Sequence, residues 1–186
     1  MRKYEFTGDK KKVNGHVLCR IKAVVDFGNV KNGDIGGWIE SEENLSHNGN
    51  AWVFCNASVY GNARVSGNAE VYGNAEVCRN AKVYGNARVS GNAWVSGNAE
   101  VYGNTKVYGN AMVYGNAEVC GDAKVYGDTE VYGWATVRGK AKIHDFAHVF
   151  GHAEIAENGE VCEWAIVYGF AYIYASCAKG TEIVSE

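Results

Sequence analysis

Aliphatic residues recur at every sixth position through most of the chain. From Val53 to Ile173 each of these positions is Val or Ile, and the residue two places earlier is Ala, except for Thr105, Thr129 and Gly159. The repeating unit is V-Y-G-N-A-x, so each A-x is followed by the V-Y of the next unit. Side chains in the segment A-x-V-Y alternate between the interior and the exterior, which predicts a four-residue strand. Gly and Asn tolerate positive φ at the least cost, so the Gly-Asn pair predicts a corner.

A strand of four residues with a two-residue corner is too short for a regular hairpin sheet, but it fits one side of a triangular coil. Three units then close a coil of 18 residues, and successive coils hydrogen-bond at a spacing of roughly 4.8 Å. Val fills the narrow interior, where a polar residue would be buried without a partner. The sequence therefore predicts an all-β, single-stranded parallel β-helix of about seven triangular coils with a short N-terminal β cap.

The repeat resembles the hexapeptide-repeat family, whose members fold as left-handed parallel β-helices, and the resemblance alone implies the left-handed winding. The segment AVVDFGNVKNGDIGGWIE at residues 23–40, followed by the repeat array, is similar to the start of YdcK-like proteins. Those are hexapeptide-repeat proteins described as acyltransferase-like, without an established reaction. This chain is shorter and more regular than that family's usual members, so an activity located in a longer C-terminal part would be absent.

The ends of the chain depart from the hexad, which divides it into three predicted segments. Residues 1–48 form an N-terminal β cap, with strands near 3–7 and 16–27 and a turn near Asn14-Gly15. Residues 49–174 form the β-helix, and residues 175–186 form a C-terminal cap or tail. A cap is expected at the first coil because a bare sheet edge invites aggregation.

Composition excludes several classes of protein. The net charge of −3 with mixed signs argues against a nucleic-acid binder. No apolar run is long enough for a membrane span and the first residues do not resemble a signal peptide, so we expect a cytoplasmic protein without membrane contact. The six cysteines form no C-x-x-C pair, which favours reduced thiols and predicts no metal site.

Residues 18 apart fall on the same face, so the outward side chains form columns. One face carries a basic column beside a column of rings, and together they are the candidate site for a small anionic ligand: Arg88, Lys106, Lys124 and Lys142, with Tyr108, Tyr126 and His144. The alternative is a solvated face whose lysines splay apart.

Near the C-terminal end the corner Asn is replaced by aromatic residues that the backbone does not require. Exposed aromatic clusters mark contact surfaces, and symmetric homo-oligomers are common. We therefore predict a homo-oligomer, a trimer or a dimer, whose interface contains Trp94, Met112, Trp134, Phe146, His148, Phe150, Trp164, Ile166, Tyr168 and Phe170. The alternative is a C-terminal tail that folds back over these residues.

Three functions fit this sequence, and whether the protein is an enzyme stays open. The first is a non-catalytic oligomeric scaffold or binding module that holds a small anionic ligand between subunits. The second, implied by the resemblance, is a CoA-dependent acyltransferase with His148 or His152 as general base and CoA as cofactor; His144 is a further candidate base. The third is a phage-encoded, anti-defence protein that sequesters a nucleotide. No Gly-x-Ser-x-Gly or phosphate-loop motif occurs.

Overall fold

The computed structural model describes residues 2–180 and, for the backbone alone, residues 182–185. The predicted C-terminal cap or tail at 175–186 includes Thr181 and Glu186, which lie outside the described residues. In the part that is described, no helix is long and apolar enough to cross a membrane.

The chain begins with an antiparallel hairpin. Strand β1 (Tyr4–Val13) pairs with β2 (His16–Ala23) around a turn in which Asn14 and Gly15 both have positive φ, 48° and 89°. This conformation is the one that matches the twist of the flanking strands in a two-residue turn. Strand β2 then pairs antiparallel with β3 (Ile35–Ile39), which brings the hairpin to the edge of the first coil.

The rest of the described chain forms three parallel sheets, with a 3-10 turn at Glu42–Asn44. The first sheet, called the aromatic face, continues from β3 through β5 (Ser58–Val59), β8 (Glu76–Val77), β11 (Trp94–Val95), β14 (Met112–Val113), β17 (Glu130–Val131), β20 (His148–Val149), β23 (Ile166–Gly169) and β26 (Glu182–Ser185).

The second sheet, called the basic face, contains β4 (Trp52–Val53), β7 (Glu70–Val71), β10 (Arg88–Val89), β13 (Lys106–Gly109), β16 (Lys124–Gly127), β19 (Lys142–Ile143), β22 (Glu160–Cys162) and β25 (Cys177–Lys179). The third sheet, called the acidic face, contains β6 (Arg64–Val65), β9 (Lys82–Val83), β12 (Glu100–Val101), β15 (Glu118–Val119), β18 (Thr136–Val137), β21 (Glu154–Ala156) and β24 (Tyr172–Tyr174).

The predicted all-β parallel coil is confirmed, with strands of successive coils paired in the register that the hexad predicts, as in Val107 with Val125. The solenoid has about eight turns where the hexad predicted about seven. The difference arises because the parallel pairing begins at β3, upstream of residue 49, and buried Ile39 and Leu45 occupy interior positions of the first coil. The left-handed winding stays a prediction.

The interior consists of the predicted aliphatic and small residues. The side chains of Val107 and Val125 have no exposed surface, and neither do the alanines that precede most of the valines. Burying each valine contributes roughly 1.5–3 kcal/mol before the loss of chain entropy. At the N-terminal end, the Lys3 ammonium donates to the carbonyl oxygens of Ala51 at 2.7 Å and Gly49 at 3.3 Å, which satisfies backbone groups of the first coil.

The three corners change character along the rod. In the N-terminal two-thirds each corner carries a ladder in which an Asn Nδ2 donates to the Oδ1 of the equivalent residue in the next coil. The ladders are Asn56–Asn74–Asn92–Asn110–Asp128, Asn62–Asn80–Asn98–Asn116 and Asn68–Asn86–Asn104–Asp122. Stacked rings replace two of these ladders beyond Asp128.

The last coil is shorter than the others. Cys177 lies opposite Glu160 and Glu182 lies opposite Ile166, whereas the regular period would place Ala178 and Val184 at those positions. The hexad also breaks here in the sequence, because the next buried position after Ile173 is Ala178. The shortening brings Cys177 next to the preceding coil in a register that the regular period does not give.

Candidate binding surfaces

The basic column lies on the basic face in the predicted order. Arg88, Lys106, Lys124 and Lys142 occupy successive rungs of that sheet, and all four side chains are exposed. Arg88 Nε contacts Glu70 Oε2 at 3.0 Å, so its charge is partly compensated. Lys106 and Lys124 lie directly next to each other in register, which concentrates positive charge in the middle of this face.

Several of the predicted ligand-binding residues line one cleft. Arg88, Lys106, Lys124 and Tyr108 surround a volume of about 270 Å³ together with Tyr72 and Ser90. Lys142 instead borders a neighbouring depression of about 400 Å³, with Asp122, Lys124, Lys140 and Asn158. Sequence reasoning did not predict Tyr72 as a ligand-binding residue, although it lies 18 residues before Ser90 in the same column.

Stacked rings continue the tyrosine column beyond the cleft. The rings of Tyr108 and Tyr126 lie 4.9 Å apart and 2° from parallel, and the imidazole of His144 stacks on Tyr126 at 4.9 Å and 7°. Tyr126 and His144 do not line the cleft of about 270 Å³. Instead His144 Nε2 contacts Glu160 Oε1 at 2.8 Å, which places this imidazole among carboxylates rather than cations.

Two rows of stacked rings project from the corners beside the aromatic face. Trp134, His152 and Phe170 stack with centroid distances of 5.3 and 5.0 Å, and Phe146 stacks on Trp164 at 4.2 Å. We call these rows the aromatic ridges. The exposed fractions are 67% for Trp164, 64% for Phe170 and 59% for Trp134. Exposure of this size means that the rings contribute little to the core of the single chain.

The face between the ridges carries most of the other predicted interface residues. Tyr132, Phe150 and Tyr168 form one stack, and Ile166 is exposed beside it. The backbone of residues 182–185 adds to the edge of this sheet as its next rung, and thus extends the face along the rod. Two exposed residues that sequence reasoning missed, Tyr172 and Tyr174, stack at 6.1 Å on the acidic face.

Trp94 and Met112 lie farther toward the N-terminus than the other predicted interface residues. Trp94 packs against the buried cluster of Leu18, Tyr60 and Cys78, where the N-terminal hairpin meets the aromatic face. Met112 is half-buried on the rung between Trp94 and Glu130. Trp94 therefore belongs to the packing of the hairpin end, whereas Met112 lies on the aromatic face one coil before Glu130.

The two candidate catalytic histidines have different surroundings. The imidazole of His152 lies between the rings of Trp134 and Phe170, so both of its flat sides are covered. His148 lies on the aromatic face, where its Nδ1 is 4.0 Å from Glu130 Oε2. His148 therefore keeps more freedom to meet a substrate than His152.

Tyrosine hydroxyls on the outside of the coils pair with glutamates of the next coil. Tyr84 donates to Glu100 at 3.0 Å and Tyr114 donates to Glu130 at 2.7 Å. Burial raises the pKa of Tyr84 to about 12, and the hydrogen bond to Glu100 acts in the same direction. In Tyr102 the hydrogen bond to Glu118 is the larger cause of a raised pKa. These hydroxyls thus remain neutral donors at physiological pH.

A cluster of potential metal ligands lies at the C-terminal end of the basic face. Ligand atoms of His144, Asp145 and Cys162 all lie within 4.8 Å of one another. Cys162 Sγ is also 3.7 Å from Cys177 Sγ. The 18-residue period places Cys162 directly after His144 in one column, a signal that sequence reasoning did not use, whereas Cys177 reaches the cluster only through the shortened last coil.

The fold and its surfaces define a parallel β-solenoid repeat protein. The YdcK β-solenoid repeat, as a family model, matches residues 57–73, 81–97 and 106–121, which together cover less than half of the chain. The chain is a repeat β-helix protein that resembles YdcK, as the sequence predicted. No curated protein matches it.

Proposed function

We propose that the protein is a non-catalytic binding module that assembles into a homo-oligomer, a dimer or a trimer, through the aromatic ridges. The observation that carries this proposal is the exposure of Trp134, Trp164 and Phe170 in parallel stacks. Asn-Gly corners satisfy the same backbone elsewhere in the chain. Large rings at these corners are thus an addition that the fold itself does not need.

The size of the surface supports a stable contact. With up to about 250 Å² for a large aromatic side chain, the exposed parts of Trp134, Phe146, Trp164 and Phe170 amount to roughly 550 Å² per chain. A standard interface buries roughly 800 Å² per partner. The neighbouring Ile166 and the flank of the Phe150 stack supply apolar surface for the remainder.

A second copy of this chain is the partner that fits the geometry of the ridges. Both ridges are straight, run along the rod axis and border the same face, so the ridges of another copy can lie along them over two or three coils. An isologous or cyclic arrangement buries the same residues in every subunit, which is the usual symmetry of homo-oligomers.

Light scattering on the purified chain tests this assembly. We expect a mass of two or three chains, and Trp164→Glu with Phe146→Glu should reduce it to one chain because charges would be buried in the contact. Asn92→Glu is the matched control, since Asn92 occupies the same corner three coils earlier than Phe146. A monomeric wild type, or a double variant that keeps its mass, would refute the proposal.

We propose further that the cleft of Arg88, Lys106, Lys124 and Tyr108 holds the small anionic ligand. Two lysines in adjacent rungs repel each other, and a phosphate or carboxylate between them would relieve that repulsion. The ring of Tyr108 forms one side of the cleft and offers a surface on which a base or another ring stacks. A nucleotide has both features, which is the link to the nucleotide-sequestering role.

Calorimetric titration with a panel of nucleotides and sugar phosphates tests the cleft. We expect binding that Lys106→Gln weakens and that added salt also weakens. Lys82→Gln is the matched control, because Lys82 lies on the acidic face and pairs with Glu100 at 2.8 Å. If no compound of the panel binds, or if Lys106→Gln and Lys82→Gln have equal effects, the cleft is not an anion site.

A CoA-dependent acyltransferase is the second candidate function, and the approach of His148 to Glu130 is the observation that favours it. A carboxylate can orient an imidazole that serves as general base, and at 4.0 Å the two side chains would have to move closer for Glu130 to accept a hydrogen bond from His148. The sandwiched ring of His152 makes it the weaker candidate for that role. Turnover of acetyl-CoA with amines or sugars that disappears in His148→Ala but persists in His152→Ala would support an enzyme; absence of turnover across the acceptors would count against it.

A further inference from the structure

We propose that the C-terminal end of the basic face binds a divalent transition-metal ion of the Zn²⁺ type through His144, Asp145, Cys162 and Cys177. The site is separate from the lysine cleft and borders the ridge of Phe146 and Trp164, because Asp145 directly precedes Phe146. Its ligands come from the corner after β19, from β22 and from β25, so one ion would join three successive coils. One imidazole, one carboxylate and two thiols are donor types that Zn²⁺ accepts in fourfold coordination.

The distance between the two sulfur atoms supports a shared metal ion. Two thiolates at roughly 2.3 Å from a tetrahedral zinc lie roughly 3.8 Å apart, and Cys162 Sγ and Cys177 Sγ are 3.7 Å apart. A disulfide needs a separation of about 2.05 Å. The two side chains therefore already have the spacing of ligands around one ion, whereas a disulfide would require them to move closer together.

The imidazole and the carboxylate have a similar relation. His144 Nδ1 lies 3.2 Å from Asp145 Oδ2, close to the roughly 3.3 Å expected between nitrogen and oxygen ligands of a tetrahedral zinc. The other ring nitrogen, Nε2, contacts Glu160 Oε1 at 2.8 Å. Metal-bound histidines characteristically use their second nitrogen in this way, to donate to a carboxylate that orients the ring.

Three of the four ligands need only small movements, and Cys177 joins them through its contact with Cys162. The remaining separations within the His144, Asp145 and Cys162 group reach up to 4.8 Å, against roughly 3.6 Å between nitrogen and sulfur ligands of one zinc. Side-chain rotations that move these atoms by about 1 Å would close this difference, since zinc ligands lie at roughly 2.0–2.3 Å from the ion. Lys142 lies in register with Glu160, and Lys179 lies in register with Cys162. The carboxylates of Glu160 and of the ligand Asp145 offset these two positive charges.

Titration of the reduced full-length chain with Zn²⁺ and Co²⁺ tests the site. We expect one equivalent of metal, and a Co²⁺ complex with sulfur-to-cobalt charge-transfer absorption and the strong visible bands of a tetrahedral ion. Cys177→Ser and His144→Gln should each weaken binding at least about tenfold. Cys120→Ser is the matched control, because Cys120 follows its buried valine as Cys162 does, but on the acidic face.

A second readout keeps the test independent of folding defects. Zn²⁺ should raise the thermal midpoint of the wild type and of Cys120→Ser, but not that of Cys177→Ser, whose exposed side chain is not needed for the core. Circular dichroism should show all variants folded. The proposal is overturned if the wild type binds no metal, if the cobalt spectrum lacks thiolate absorption, or if Cys177→Ser and His144→Gln bind as tightly as the wild type.

Discussion

Replacing one corner glycine by alanine should separate two costs that the solenoid imposes on a corner. Gly97 has φ of 70°, and a Cβ there would lie 2.7 Å from Gly115 O and 2.8 Å from Gly115 N in the next coil. Gly61 has nearly the same φ, 67°, but its nearest contact would be 3.2 Å, to Arg79 N. The two sites therefore share the backbone strain and differ in the clearance between coils.

The expected magnitudes follow from this difference. Positive φ costs an alanine roughly 1–2 kcal/mol, offset by about 0.4–1 kcal/mol from the restricted unfolded chain. Gly61→Ala should thus lower the free energy of unfolding by about 1 kcal/mol. Gly97→Ala adds an overpacking cost of roughly 1–3 kcal/mol, because hydrogen bonds on both sides of the corner hold the next coil in place, for a total loss of about 2–4 kcal/mol.

Urea unfolding followed by far-ultraviolet circular dichroism measures both losses. Arg79→Gly is a useful control, since Arg79 already has φ of 62° at the same slot and the change relieves strain without adding an atom. Its free energy of unfolding should change by less than about 1 kcal/mol. Equal losses for Gly61→Ala and Gly97→Ala would refute the reasoning, because they would show that the spacing between coils yields freely to an added methyl group.

Three further predictions concern the interior and the outer hydrogen bonds. Thr105 occupies an Ala slot with a buried hydroxyl that has no hydrogen-bond partner within the described residues, so Thr105→Val should raise the free energy of unfolding by about 1 kcal/mol and with it the urea midpoint; a lower midpoint would contradict this. Val107→Asp should prevent folding, as judged by circular dichroism, because a fully buried carboxylate would lack a partner, whereas Val107→Ala should fold and lose roughly 2 kcal/mol. The pKa of Tyr84 is raised to about 12 in the fold, so its contribution to stability is complete below the ordinary value of 10 and is lost as pH rises through 12; the difference in tyrosinate absorbance between the wild type and Tyr84→Phe isolates this residue, and a difference that appears near pH 10 without loss of β structure would contradict it.

The middle of the rod could be predicted from sequence because its spacing is exact. Three hexads make one coil, and the resulting register recurs in Val107 with Val125, in Tyr108 with Tyr126 and in the corner amides. Once the period is known, the order of Arg88, Lys106 and Lys124 on one face follows without further information. The same logic placed Trp134, His152 and Phe170 in one corner stack.

The two ends could not be predicted in the same way, because the spacing changes there. Ile39 pairs with Val59, where the regular period would pair it with Ala57, so the first coil is longer than three hexads and begins within the predicted cap. Cys177 pairs with Glu160 in the place of Ala178, which moves its side chain next to Cys162. A period derived from the middle of the chain does not predict such insertions and deletions, and the shortened last coil adds Cys177 to the ligand cluster.

The separation of the hairpin from the aromatic ridges has a consequence for the design of the whole molecule. Each whole coil added to or removed from the amide-laddered region would preserve every column and alter the length of the rod by roughly 4.8 Å. The number of coils between the N-terminal hairpin and the aromatic ridges can thus vary without a change in either end. The length of the solenoid can change in evolution or by engineering while the surfaces of the hairpin and of the ridges stay the same.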